Sequence, residues 1–489
     1  MRRRFRIALG MGVCLIVSAA VASGQVWTPI ANQPVVSPSN PLLLTDGTVI
    51  IHNACDVDWW RLTPDSSGSY RNGTWSQIAS LPSNYGPLYF ASAVLPDGRV
   101  IVEGGEYNFC VPVWTTQGAI YDPLANSWTS VAPPSGWNTI GDAQATVLAD
   151  GQFMLADCCS KKSALFDATN LTWLATGAGK FTINDEENWT LLPDGKVLAV
   201  DAYVGSYDPD GTNSELYDPA SGTWSSAGST IVQLWDSYPD RLHASYEVGP
   251  APLLPDGTVF ATGANGAGAA HTAIYNTKNG KWTPGPDFPD NLGIADGPAA
   301  VLPNGHVLLQ TGPLVFLPPS VFFEWDGQSL TEVPAAPGSE FDPSYAGNML
   351  VLPTGEVLWT DFTNIFLYTS SGGPKREWEP RIVNGPPTRD ITRGNTYSLT
   401  GQNFAGWTQG AYYGDDSQAA TNFPLVRLTN KATHHVFYAR THDFSTMGVA
   451  EHGPQTTKYD VPANMETGPT DVVVVTNGIP SRPITVVVH

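Results

Sequence analysis

Five carboxylates, Asp142, Asp185, Glu186, Glu247 and Asp296, stand nine or ten residues before a glycine in a repeated turn, and Glu106 follows another such turn closely. Two tyrosines, Tyr89 and Tyr345, occupy the same count before their own turn glycines. If the turns superpose, these groups meet around one axis. Like charges gathered in a narrow mouth raise one another's pKa, recruit a cation such as calcium, or stay apart in water as solvated acids at strand starts. A carboxyl pair there can also serve as general acid and base, as in sugar chemistry, provided the two groups lie at a working separation.

The turns belong to one repeated stretch. In residues 92–107, SAVLPDGRVIVEGGEY, two short apolar runs flank Pro96-Asp97-Gly98. The proline fixes φ and the glycine supplies the positive φ of a tight turn, so the stretch reads as a β-hairpin. It returns as LLLTDGTVII, TVLADGQFML, TLLPDGKVLA, PLLPDGTVFA, AVLPNGHVLL and LVLPTGEVLW, with glycines 47, 98, 151, 195, 257, 305 and 355 spaced by 44 to 62 residues. That period is the one expected of kelch-type propeller blades. Between copies an aromatic precedes a turn and a tryptophan, as in Tyr121 with Trp128, Phe166 with Trp173, Tyr217 with Trp224 and Tyr275 with Trp282, supplying two outer strands. The prediction is an all-β chain: a seven-bladed kelch-type β-propeller, closed so that no long sheet edge is left free.

A chain of 489 residues with 48 Gly and 41 Pro is punctuated by turns throughout, and its aromatic content of 11% against 14% charged residues favours globular order. The net charge of −21 repels phosphate backbones, which argues against a nucleic-acid partner. Residues 1–24, basic and then apolar, read as a signal peptide, so the chain is expected to be secreted, with no membrane span after cleavage. Cys55 and Cys110 lie just beyond the second hairpin strands of adjacent blades, where a bridge is reasonable. Cys158 and Cys159 could form a vicinal disulfide or remain separate.

Val26-Trp27-Thr28 looks like a stray outer strand that completes the last blade. Blade 1 is expected to carry a long insertion from Asp56 to Trp75, and the 233–248 segment, which includes His243, is a candidate pocket wall. The repeat grammar stops after Tyr368, so the propeller is placed at 25–378 and a small immunoglobulin-like β-sandwich at 379–489. The latter holds His434, His435, His442 and His452. Trp59, Trp60, Trp114, Trp137 and Trp235 are candidate platforms for pyranose rings.

A seven-fold kelch propeller followed by a β-sandwich in an exported chain resembles the galactose oxidase and glyoxal oxidase family of copper-radical enzymes. The resemblance implies that Tyr89 stands where the family has its cross-linked radical tyrosine, Tyr345 at its axial tyrosine, and Tyr107 at the aromatic over the radical site. It further implies that the loop around Ala432-Thr433-His434 rises into the channel, bringing His434 as a ligand. Two members of the expected set are missing: Ala346 replaces the second histidine, and Pro38 stands where the cross-linking cysteine belongs. A copper set of one imidazole and two phenols is incomplete.

The reading is therefore a secreted, carbohydrate-directed propeller with a degenerate copper-radical site. Tyr89, Tyr345 and His434 are the candidate catalytic and remnant metal-ligating residues, and Tyr107, Glu106, Asp142, Glu186 and Asp296 are expected to contact a carbohydrate or polysaccharide partner. The alternatives are an active carbohydrate enzyme, either an altered oxidase or a lyase or hydrolase, and a non-catalytic protein-interaction propeller.

Overall fold

The computed structural model describes residues 26–203, 211–236, 246–264, 270–386 and 388–489. The leader assigned to residues 1–24 lies outside them, as does His243 with the middle of the 233–248 segment. All seven turn glycines have φ between 76° and 89°. In six turns the preceding Asp or Asn accepts a hydrogen bond from the backbone N–H two residues on, at 2.9 to 3.2 Å. The Asp-Gly pair therefore reverses the chain twice over: the side chain closes the turn and the glycine takes the left-handed conformation.

Each hairpin forms the inner half of an antiparallel sheet. Blade 1 is Pro38–Leu43, Val49–Asn53, Trp59–Thr63 and Thr74–Gln77 in that order. The expected 56–75 insertion holds the first outer strand and the start of the second, and is thus part of an ordinary outer hairpin. In blade 5 the innermost strand is reduced to single bridges, Leu253 to Val259 and Val248 to Gly263. Inner strands adjoin one another around the ring, Pro38–Leu43 lying beside both Ala91–Val94 and Asn348–Val351. Val26–Pro29 pairs antiparallel with Ile365–Thr369 and completes the seventh blade. The two ends of the propeller are thereby tied by backbone hydrogen bonds.

The repeated tryptophans pack on the aromatic of the neighbouring strand, with ring centroids 4.8 to 5.5 Å apart. Several also reach the preceding blade: Trp128 Nε1 donates to Ala79 O, Trp173 to Ala132 O, and Trp27 to Pro334 O. One indole thus fills its own blade and hydrogen-bonds the one before it, which suits a side chain with a large apolar body and one polar edge. In blade 4, Lys180 is buried with Glu187, Asp201 and Glu215 at 2.8, 2.9 and 2.5 Å.

The C-terminal strands form a second β unit with its own core around Leu399, Val426, Leu428, Tyr459, Val472 and Val474. Val436–His442 pairs on one side with Leu425–Asn430 and on the other with Gln455–Asp460. Cys55 is bonded to Cys110 and Cys158 to Cys159. Among the described residues no helix is long and apolar enough to cross a membrane.

Trp27 packs on Phe322, Trp359 and Tyr368 at centroid distances of 5.1, 5.7 and 4.8 Å, so Trp27→Ala removes the main anchor of the closing strand. The expected loss is about 2 to 3 kcal/mol in urea unfolding, since the side chain is only partly buried. An unchanged midpoint would mean that the ring closes without it.

Candidate functional site

Seven of the fourteen positions counted back from the turn glycines, namely Leu88, Tyr89, Asp142, Glu186, Glu247, Asp296 and Tyr345, line a single cavity of about 400 Å³. Glu106, Tyr107, Phe316 and Asp415 complete its wall. The convergence has a backbone cause. Tyr89, Glu186 and Asp296, all nine residues before a turn glycine, have φ of 52°, 56° and 49°. In blade 3 the left-handed residue is Gly141, immediately before Asp142. Non-glycine residues in this region are strained, and here the strain recurs at equivalent places that aim side chains at the mouth.

Tyr89 is the hub of the aromatic wall. Its ring lies 6.3 Å from Tyr345 and 6.2 Å from Tyr107, both edge-on, and Phe316 meets Tyr345 at 5.5 Å. Glu106 N donates to Tyr89 O at 3.0 Å, tying the acid to the tyrosine backbone.

The floor comes from the C-terminal unit, by a segment other than the expected one. His434 sits exposed in the turn between Leu425–Asn430 and Val436–His442, with its N–H donating to Asn430 O. It does not line the cavity; the strand that follows the turn begins against blade 1, where Val436 N donates to Ser66 O at 2.8 Å. The chain that enters the ring is 407–423. Ala411–Tyr412 adds an inner strand to Ala299–Val301, Gln409 accepts from Leu191 N at 2.9 Å, and Ser417 Oγ donates to Asn40 at 2.9 Å. Tyr413 OH donates to Tyr345 O at 2.6 Å, and Gly414 lies so near Asp296 that a Cβ would stand 2.4 Å from its Oδ1. At the tip stand Asp415 and Asp416, both buried. Sequence reasoning missed them, because a polar Gly-Asp-Asp-Ser run reads as a surface turn.

Burial pushes these acids up, and at all of them but Asp142 the neighbouring acids add to it. Asp142 is raised to about 6, Glu106 to about 7 and Asp296 to about 8. Asp185, outside the lining but beside Asp142, reaches about 7. Glu186, Glu247, Asp415 and Asp416 are driven well above the usual carboxylate range. Burial, with Tyr345 next, holds the Tyr89 phenol well above 10.

Of the expected tryptophan platforms only Trp114 is exposed. Trp59 and Trp137 are buried, Trp60 is half-buried, and Trp235 stacks on Tyr246 at 5.3 Å. The other histidines have their own partners: His435 meets Glu466, and His442 meets Asp443 and Asp460. His452 packs edge-on to Trp407.

The copper set of the oxidase family does not fit this cavity. Copper(II) favours nitrogen and oxygen donors in a tetragonal arrangement. Among the described residues no imidazole lines the cavity, all four cysteines are paired, and the donors are carboxyls and phenols.

Two outcomes follow. Glu106 and Asp142 hold protons in the folded chain that they release when unfolded, so their contribution to stability is full below about pH 4 and is lost as pH rises toward 6 to 7. Asp142→Asn should flatten that decline in pH-dependent denaturation, and a decline of equal slope in the variant would contradict the assignment. His434→Ala should leave stability within about 0.5 kcal/mol of the parent.

No family model matches the chain. A kelch-like protein of Aspergillus terreus is 29% identical over 128 residues, covering 25% of each chain. The galactose oxidase of Gibberella zeae is 27% identical over 237 residues, covering 45% of this chain and 32% of that protein. The chain thus spans about a third or less of the length of these relatives. A fungal alcohol oxidase of the AA5 family, solved in complex with copper, superposes with a TM-score of 0.52 at 12% identity, covering 95% of this chain and 99% of that one. That likeness is one of fold. In partial sequence identity and in architecture together, the chain resembles the galactose oxidase-like kelch propellers.

Proposed function

We propose that the chain is an exported propeller protein that binds a carbohydrate at the acidic mouth of the ring, without the copper-radical chemistry of the oxidases. Residues 1–24 are the signal peptide, 25–378 the propeller and 379–489 the second domain, and the Cys55–Cys110 bridge suits an oxidising destination. The carrying observation is the cavity itself. Six carboxyls and three phenols converge on one volume with a phenyl ring at the rim, so acceptors, donors and flat apolar faces alternate as they do on a sugar.

In this reading Tyr107 and the exposed Phe316 offer faces to a pyranose ring, with Trp114 near the rim. Glu106, Asp142, Glu186 and Asp296 take its hydroxyls. Tyr89 and Tyr345 are the rigid wall. They were the expected catalytic pair, and with no imidazole beside them their role is shape and hydrogen bonding.

A second reading is hydrolysis or elimination on the bound sugar. Glu106, raised to about 7 by burial and by Asp142, would be a general acid near neutral pH.

Glycan arrays with the purified mature chain, followed by product analysis, separate the readings. Binding with sugar recovered unchanged supports the binder, and a shortened or unsaturated product that disappears in Glu106→Gln supports the enzyme. Tyr107→Ala should weaken retention about tenfold, by analogy with the 1 to 3 kcal/mol of a stacking contact. A chain that retains no glycan rules out the carbohydrate reading.

A further inference from the structure

Glu186, Glu247 and Asp296 come from three successive blades, yet one oxygen of each lies within 4.8 Å of the others. The same cavity includes Asp415, brought from the C-terminal segment. Among the residues lining it there is no lysine, arginine or histidine. Glu247 is 5% exposed and Asp142 8%, and Glu247 Oε2, Asp142 Oδ1 and Asp296 Oδ1 are buried with no hydrogen-bond partner. Buried carboxylate oxygens are ordinarily hydrogen-bonded, paired with a cation or coordinated to a metal.

One other buried acidic cluster has its counter-ion built in, while Glu103 is a lone buried acid with both oxygens unpartnered. Glu187, one residue beyond Glu186, faces the interior of blade 4 and there meets Lys180 at 2.8 Å together with Asp201 and Glu215. In blade 4, where three acids converge, a lysine is built in among them. Where more acids converge at the mouth, the lining holds no counter-ion.

We propose that Glu186, Glu247 and Asp296, with Asp415 beside them, hold a divalent, oxygen-preferring cation of the calcium class at the floor of the cavity. Two ligands on opposite sides of Ca²⁺ stand about 4.6 to 5.2 Å apart, so a spread of 4.8 Å accommodates a shared ion. Carboxylates from independent blades suit an ion that accepts six to eight oxygens in irregular array. The donors are all oxygen, which selects against copper and zinc and in favour of Ca²⁺, Mg²⁺ or Mn²⁺. The ion would face the space where the carbohydrate is placed, and paired sugar hydroxyls are oxygen donors able to complete its shell. This last role rests on the carbohydrate reading; the ion site itself does not.

The test uses the whole mature chain, stripped with chelator and then titrated separately with Ca²⁺, Mg²⁺, Mn²⁺ and Cu²⁺ by calorimetry and thermal melting. The expected result is stoichiometric uptake of Ca²⁺ with a rise in melting temperature. Glu247→Gln and Asp296→Asn should each weaken uptake by at least about tenfold. His434→Ala, distant from the cavity, serves as the unaffected control. The two neutralised variants should melt at or above the metal-free parent, since repulsion is relieved, and this separates lost binding from lost folding. A parent that takes up none of the ions, or Cu²⁺ alone, overturns the proposal, as do variants that bind Ca²⁺ like the parent. Ca²⁺ uptake with no glycan retained overturns the carbohydrate reading and leaves the ion site standing. Glycan retained by a chain that takes up no divalent ion overturns the ion site alone.

Discussion

Electrostatic repulsion among carboxyls confined at one end of a closed ring is the constraint on which the rest of this molecule turns. Six acids line a volume of about 400 Å³ into which no basic side chain intrudes. In such a medium a pair of like charges a few ångströms apart is worth several kcal/mol even at an effective dielectric near 20. The acids must therefore keep protons, as the upward displacement of every one of them indicates, or share a positive ion. Either response makes the mouth chemically unlike a solvated surface, where acids ionise freely.

The scaffold can impose this crowding because it is closed and rigid at several levels. Asp-Gly turns fix each hairpin, tryptophans tie one blade to the next, and Val26–Pro29 locks the ring. The strained residues at 89, 186 and 296 are held by what surrounds them. The inserted segment 407–423 adds further support, since Tyr413 fixes Tyr345 by its backbone carbonyl and Gly414 lets Asp415 come up beneath Asp296. The C-terminal unit is therefore a structural part of the cavity, and a change in its seating would be felt at the acids.

Much of this was legible in the sequence because it is periodic. A count of nine or ten residues from a turn glycine locates Tyr89, Asp142, Glu186, Glu247, Asp296 and Tyr345 in one place, since hairpins of equal length superpose around an axis. The failures share one cause, the absence of a repeat to count from. His434 was placed in the channel on the strength of a resemblance, whereas the loop that enters is fixed by pairing of Ala411–Tyr412 with Ala299–Val301, a contact across more than a hundred residues. Asp415, Asp416 and Phe316 lie in non-repeating segments and were invisible to the same arithmetic. The tryptophans misled for a related reason: in a blade, an indole at a strand end is as often packing as platform, and Trp59 is wholly buried against His52 and Phe90.

The cavity also bears on what a shared scaffold can and cannot carry over from its relatives. The two phenols stand within 6.3 Å of each other as neighbours in one wall, so the geometry that would gather ligands is present. The atoms they gather with are different. Nitrogen and sulfur donors would favour a soft or borderline metal and stabilise an oxidised phenol, whereas carboxyls raise the electron density and the proton affinity of everything near them. Burial first, then Tyr345 and the acids, keep the Tyr89 proton well above the ordinary range, and a phenol that does not ionise is a hydrogen-bond donor and a packing surface. Placement comes from the ring and the count of residues; chemistry comes from which atoms are put there, and in this chain those atoms are oxygens.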